Sequence, residues 1–245
     1  MLRLVPVIMI LAVVVLVGCS TNSTPTDNST NTDGDSGQVS EVTLPKGIYP
    51  DSMSRLPMVK REDLDEDGKR IYDLISDDES RSLGGFTGPR GVRINSPRVA
   101  EAYTAANQYL RNEAGIDPRL RELAILVAAR AMDNAYEWTA HESSAQKEGL
   151  EQSIIDIVKY RKPLTAPGEI EGLGEREAVI IQLGREALGE HKVSSDTFAR
   201  ALKQFGKQGL VNVVSLMAHY TATAIVLTTF DQHLRPGQKS LLPLP

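Results

Sequence analysis

Thiols are nearly absent from this chain: its 245 residues include one cysteine, Cys19. With that residue committed to the modification described below, the rest of the chain has no thiol. Disulfides and cysteine-based redox chemistry are therefore excluded from the folded part. Basic blocks are also missing. The 27 Lys and Arg are outnumbered by 32 Asp and Glu, for a formal charge of -5, and the two signs are interspersed along helical faces. That pattern excludes a nucleic-acid surface. No segment shows sustained period-two alternation, no internal repeat is evident, and the expected class is all-α. The run Gly84-Gly85-Phe86-Thr87-Gly88-Pro89-Arg90-Gly91 lacks the spacing and flanking strand of a phosphate-binding loop and reads as a connector, too rich in glycine for helix or strand.

Aliphatic and aromatic residues are missing from Ser20 to Gln38, which contains only Ser, Thr, Asn, Asp, Gly, Gln and one Pro. A segment that buries nothing cannot offset its ordering entropy, so a flexible tether is expected, with a reach of roughly 5–6 Å times the square root of its length. Ahead of it, Arg3 and the apolar run Leu4 to Val17 end in Leu16-Val17-Gly18-Cys19. The run is too short to cross a bilayer comfortably, which takes about 20 residues. The tetrapeptide resembles a bacterial lipobox, with cleavage before Cys19 and lipidation of its thiol. The expected organisation is a signal peptide over 1–18, a lipidated cysteine and linker over 19–55, and a helical domain over 56–238. The body of the protein is expected outside the cytoplasm, anchored on the periplasmic or extracellular face of a membrane.

Apolar spacing at Leu64, Ile71, Leu74 and Ile75 predicts a helix over 63–75. Ser96-Pro97 and Asp117-Pro118 each combine a capping residue with proline at the first helical position, predicting helices to about Glu113 and through Glu122. Asn134 opens a further helix that Gly149 ends. Shorter helices are expected over 152–160, 175–188 and 195–205. Leu210 to Phe230 carries no charge but includes Asn212, Ser215, His219, Tyr220 and four threonines. It is too polar to face lipid and is expected at a bundle centre or subunit interface.

The chemistry concentrates between Leu120 and Gly149. Glu122 lies among Leu120, Leu123, Ala124, Leu126 and Val127, where a buried carboxylate must be paired. Arg119, Arg121 or Arg130 could hold it as a structural ion pair. Glu137 and His141 are four residues apart and share one helical face, an arrangement suited to a proton shuttle. Two blander readings stay open: Glu137 as the third helical residue of a capping box begun by Asn134, and His141 as a satisfied core histidine. A metal held by His141, Glu137 and His219 or His233 finds only two ligands on one face and no recognised motif. No metal or other cofactor is expected.

The ordered set Arg119-Leu-Arg-Glu122-Leu-Ala-Ile-Leu126, Tyr136-Glu137-Trp138-Thr-Ala-His141, then Ala145 with Gly149-Leu150 resembles the carboxymuconolactone decarboxylase family, which includes the alkyl hydroperoxidase D proteins. The similarity extends from Ser96-Pro97 to Ala218-His219-Tyr220, over roughly residues 60 to 235. It implies an all-helical fold that assembles into trimers or hexamers. In the peroxidase branch a glutamate, a Cys-x-x-Cys pair and a histidine form a proton relay. Those positions fall here on Glu122, on Asn134 and Glu137, and on His141. Both sulfurs are missing, so the resemblance favours the decarboxylase branch and cofactor-free acid–base chemistry on a small carboxylated lactone or organic acid. On that reading Glu122, Glu137 and His141 are catalytic. Asn134, Tyr136, Trp138 and His219 contact the substrate, and Arg90 or Arg98 neutralises its carboxylate. A non-catalytic binding or assembly module is the alternative.

Overall fold

The computed structural model describes residues 44–76 and 86–244. The expected signal peptide, Cys19 and the tether lie outside the described residues, as do Gly84 and Gly85. Among the described residues eight α-helices follow in order: α1 (Glu66–Ser76), α2 (Pro89–Arg93), α3 (Pro97–Gln108), α4 (Pro118–Ala131), α5 (Ala135–Lys147), α6 (Gln152–Lys159), α7 (Glu175–Gly184) and α8 (Ser195–Thr229). Among the described residues there is no strand, only an isolated bridge between Tyr49 and Ser54. The all-α expectation holds.

The fold is organised around α4. Asp117 caps it, its carboxylate accepting from the backbone N–H of Arg119 at 3.0 Å and of Leu120 at 3.3 Å, and Pro118 fills the first helical position. Leu123, Ala124, Ile125, Leu126 and Ala128 are all completely buried. A helix buried on nearly every side needs cover on nearly every side, and α5, α7 and α8 pack around this one. Asp133, at φ 48, turns the chain between α4 and α5. Asn134 then caps α5, its Oδ1 accepting from Glu137 N at 2.9 Å. The two helices form a hairpin that sets Glu122 opposite His141.

Two π-helical turns depart from the expected helices. Tyr109–Glu113 prolongs α3, with Ala114 N bonding Tyr109 O at 2.8 Å, and Arg185–Glu190 prolongs α7. The wide turn after α3 rotates Arg111 toward α4, a device often found at functional sites. The expected helices over 195–205 and 210–230 are joined within α8, where Gly206 (φ 64, ψ 179) leaves helical geometry.

Three boundaries differ from expectation. Pro89–Arg93 is a short helix inside the supposed connector. Gly88 and Gly91 serve close approach: a Cβ on Gly91 would lie 1.8 Å from Phe86 O, and one on Gly88 2.5 Å from the Tyr136 hydroxyl. Packing also begins before residue 56. Ile48 and Met53 are buried, and the backbone of Arg55 and Met53 bonds Phe230 and His233 beyond α8. At the other end Leu242, past residue 238, belongs to the main core. Both outlying segments are too short to show a period.

The uncharged stretch of α8 is half in the core. Leu210, Val213, Leu216, Met217, Tyr220, Ala224 and Leu227 are buried, while Val211, Val214 and Ile225 are 62%, 42% and 52% exposed. Ser195–Thr229 is long and apolar enough to cross a membrane by length and composition, but half of its most apolar window is buried against the rest of the fold. Asn212 donates to Ala114 O at 3.1 Å.

Candidate active site

The three proton-handling residues converge. His141 Nδ1 lies 2.7 Å from Glu122 Oε2, and His141 Nε2 lies 3.5 Å from Glu137 Oε2. All three side chains are nearly or fully buried. The other Glu122 oxygen accepts from Arg111 Nη2 at 3.2 Å and Arg121 Nε at 3.1 Å. Burial alone would raise the Glu122 pKa. The hydrogen bond and charge of His141, with the charges of Arg111 and Arg121, outweigh it and hold the carboxyl at about 2. An ionised carboxylate can only accept, so Nδ1 carries a proton, and Nε2 is the nitrogen that faces Glu137.

Glu137 differs from Glu122. Burial pushes its pKa up, only partly countered by His141, Arg93 and Arg111, and the Glu122 charge raises it further. Two carboxyls on one imidazole are thus pushed in opposite directions, which separates a fixed anion from a group able to hold a proton. The capping-box reading of Glu137 holds only by half. Its backbone N–H is capped by Asn134, but its carboxyl turns to His141, and Asn134 N bonds Ala129 O at 2.9 Å instead.

Glu137 and His141 open onto a cavity of about 380 Å³ between α2, α3, α5 and α8. That volume is at the small end for ligand sites. Tyr136, His219 and Arg90, three of the expected substrate contacts, line it. The Arg90 Nη1 donates to Ile75 O at 3.1 Å. Burial, then the charges of Arg93 and Arg111, lower the His219 pKa to about 4, so its ring is neutral at ordinary pH.

Three expected substrate contacts lie elsewhere. Trp138 is fully buried and donates from Nε1 to Glu142 Oε2 at 2.7 Å, while Lys159 pairs with the same carboxylate at 2.9 Å. It is core, because α5 buries the side of its first turn that carries the indole. Asn134 is consumed as the α5 cap, and its amide nitrogen reaches Ala224 O and Thr228 Oγ1, both at 3.3 Å. Arg98 points outward and pairs with Asp67 and Glu101. Of the arginines expected to hold Glu122, only Arg121 does. Arg119 pairs with Glu151 and Glu177, and Arg130 with Asp133.

Arg93, Tyr103, Asn107, Arg111, Thr223 and Tyr220 also line the cavity, and no local sequence signal marks them as site residues. Tyr220 packs edge-on to His141 at 5.0 Å between centroids and accepts from Arg111 Nη1 at 2.8 Å. Arg111 lies eleven residues before Glu122, and it reaches that carboxylate from the π turn.

This geometry coincides with a known sequence pattern. Residues 97–158 match the carboxymuconolactone decarboxylase family. The matched segment runs from the first residue of α3 to the last turn of α6, so it contains Glu122, Glu137 and His141 and bears out the resemblance read from the sequence. Arg93, His219 and Tyr220 lie outside it. Among solved structures, the crystal structure of an alkylhydroperoxidase AhpD core, an uncharacterized peroxidase-related protein from Ralstonia eutropha JMP134, superposes with a TM-score of 0.55 at 17% identity, covering 75% of this chain and 93% of that one. At that identity the likeness establishes a shared fold. No curated protein matches the chain.

Proposed function

We propose that this carboxymuconolactone decarboxylase-like protein carries out cofactor-free acid–base chemistry on a small carboxylated lactone or organic acid, by proton transfer or decarboxylation. The observation that supports it is the imidazole of His141 held on one nitrogen by a deeply ionised Glu122 and facing Glu137 and the cavity on the other. In this role Glu122 fixes the tautomer and stabilises the imidazolium that forms. His141 takes the proton through Nε2, and Glu137 accepts or returns it. In a decarboxylation the bond to the carboxyl carbon breaks, carbon dioxide leaves, and the electron pair left on carbon is protonated from His141. A thiol peroxidase reading fails on composition, because the single cysteine is Cys19 and the matched segment has none.

The test is His141→Gln against a panel of lactones and oxo acids. General acid–base catalysis contributes roughly 10²–10⁴-fold, so kcat is expected to fall by that factor with KM little changed. Unaltered turnover across the panel would instead favour the non-catalytic binding module. Membrane anchoring through Cys19 belongs to the same proposal, and incorporation of labelled fatty acid that is lost in Cys19→Ala checks it. So does assembly into trimers or hexamers, for which the exposed Val211, Val214 and Ile225 supply an uncharged face. Sedimentation of Val214→Asp at the monomer mass, against a larger parent species, is the expected outcome.

A further inference from the structure

Two polar atoms in side chains that line this cavity have no hydrogen-bond partner. Arg93 Nε and Asn107 Oδ1 are both buried and unbonded, and both side chains line the cavity. One is a donor and the other an acceptor. Buried polar atoms in native proteins are overwhelmingly partnered, so a complementary unbonded pair in two side chains that line one cavity points to what the cavity receives.

Arg93 is also held in place and short of counter-charge. Its Nη2 donates to Thr223 Oγ1 at 2.8 Å, and that hydroxyl in turn donates to His219 O at 2.8 Å. The guanidinium carbon stands 4.1 Å from the centroid of the Tyr103 ring. A guanidinium does not discharge by losing its proton, and burial lowers its pKa here for want of a close anion. The carboxylate whose charge reaches it is Glu137, the group already committed to His141. Arg111, a further cation of the wall, is already bonded to Glu122 and Tyr220. Arg93 therefore presents a fixed donor edge whose planar shape suits a carboxylate.

We infer that Arg93 anchors a carboxylate and that Asn107 accepts a hydrogen bond from a hydroxyl on the same molecule, so the cavity takes a small hydroxylated carboxylic acid. This rests on the cavity being a substrate site and names the substrate's class. Size agrees, since about 380 Å³ accommodates an acid of modest bulk and little more.

Calorimetric titration of the whole chain tests this without relying on turnover. The probes are glycolate, lactate, malate, mandelate and γ-hydroxybutyrate, with the matching acids lacking the hydroxyl and the matching hydroxy amides. At least one hydroxy acid is expected to bind roughly tenfold or more tightly than its amide. Arg93→Met removes that preference while leaving the amide's affinity unchanged, and Arg93→Lys restores part of it. Asn107→Leu reduces the hydroxy acid to the level of its hydroxyl-free counterpart. Far-UV circular dichroism and the unfolding midpoint identify any variant that fails to fold, in which case Arg93→Lys and Asn107→Leu decide. Equal affinity for acids and amides, unchanged acid binding in Arg93→Met, or no acid binding at millimolar concentration each overturns the inference. Acid binding through Arg93 with turnover indifferent to His141→Gln would sink the acid–base reading and leave this one standing. Turnover that needs His141 but keeps its KM in Arg93→Met would do the reverse.

Discussion

Replacing Glu122 by glutamine keeps the shape of the side chain and an oxygen that accepts from His141 Nδ1, and removes only the charge. Glu122 is fully buried, and Arg111 and Arg121 beside it are 16% and 12% exposed. The drop of its carboxyl pKa from 4.5 to about 2 corresponds to roughly 3 kcal/mol, at about 1.4 kcal/mol per pH unit. Stranding a buried ion's partners costs about 3–5 kcal/mol by mutational precedent, so the two routes agree. The sign follows from the direction of the shift. A depressed carboxyl stabilises the fold above its unfolded value and loses that contribution as pH falls through 4.5 toward 2. Urea denaturation of parent and Glu122→Gln at neutral pH is thus expected to differ by roughly 3–5 kcal/mol, with a midpoint on heating lower by roughly 10 °C. The difference should shrink in acid, because the parent protonates the group the variant lacks. A loss under about 1 kcal/mol at neutral pH, or a gap that stays constant into acid, would refute the account of Glu122 as an ionised, clamped residue.

Three further outcomes are expected. His219 is held at about 4 against an ordinary 6.5, so the folded state resists its protonation and stability falls as pH drops through that window, by up to roughly 3 kcal/mol; His219→Gln should flatten the urea midpoint over that range, and an unchanged slope counts against a buried neutral ring. Burial raises Glu137 above the ordinary carboxyl range, so the pH profile of kcat/KM should show a limb above that range which Glu137→Gln abolishes, and a limb that persists would reassign the titrating group. Gly206 holds φ 64 and ψ 179 with nothing within 4 Å of where a Cβ would stand, so Gly206→Ala should cost about 1–3 kcal/mol through backbone strain alone. A neutral thermal shift would mean that the break in α8 relaxes freely.

The sequence was most legible where local chemistry decides local structure. Asp117-Pro118 and Asn134 mark the starts of α4 and α5 to the residue, because capping and proline act within one turn. Glu122 and His141 stood out because proton-handling side chains are costly in apolar helices, and the hairpin that joins them is fixed by the short turn at Asp133. What stayed hidden depends on neighbours distant in sequence. Nothing near Arg111 announces a π turn, so the arginine that grips Glu122 was read past in favour of nearer ones. Trp138 looked like a site residue for its company in the motif, but composition cannot tell which side of α5 faces the core. Arg93 was masked by a glycine-rich surrounding that read as loop, and its role emerges only when α2, α3 and α8 meet around one void.

The burial of Glu122 has a consequence for where protons can go. With two guanidiniums against it and no surface of its own, the far side of the imidazole is a dead end, and on the proposed acid–base reading every hydron that His141 exchanges passes by way of Nε2 through the mouth of the cavity. A molecule filling that mouth isolates the ring from bulk water, so a hydron lifted from one carbon is the one at hand to be set down on another. Such a chamber favours internal rearrangement over exchange, and deuterium carried from reactant into product without washout would be its signature.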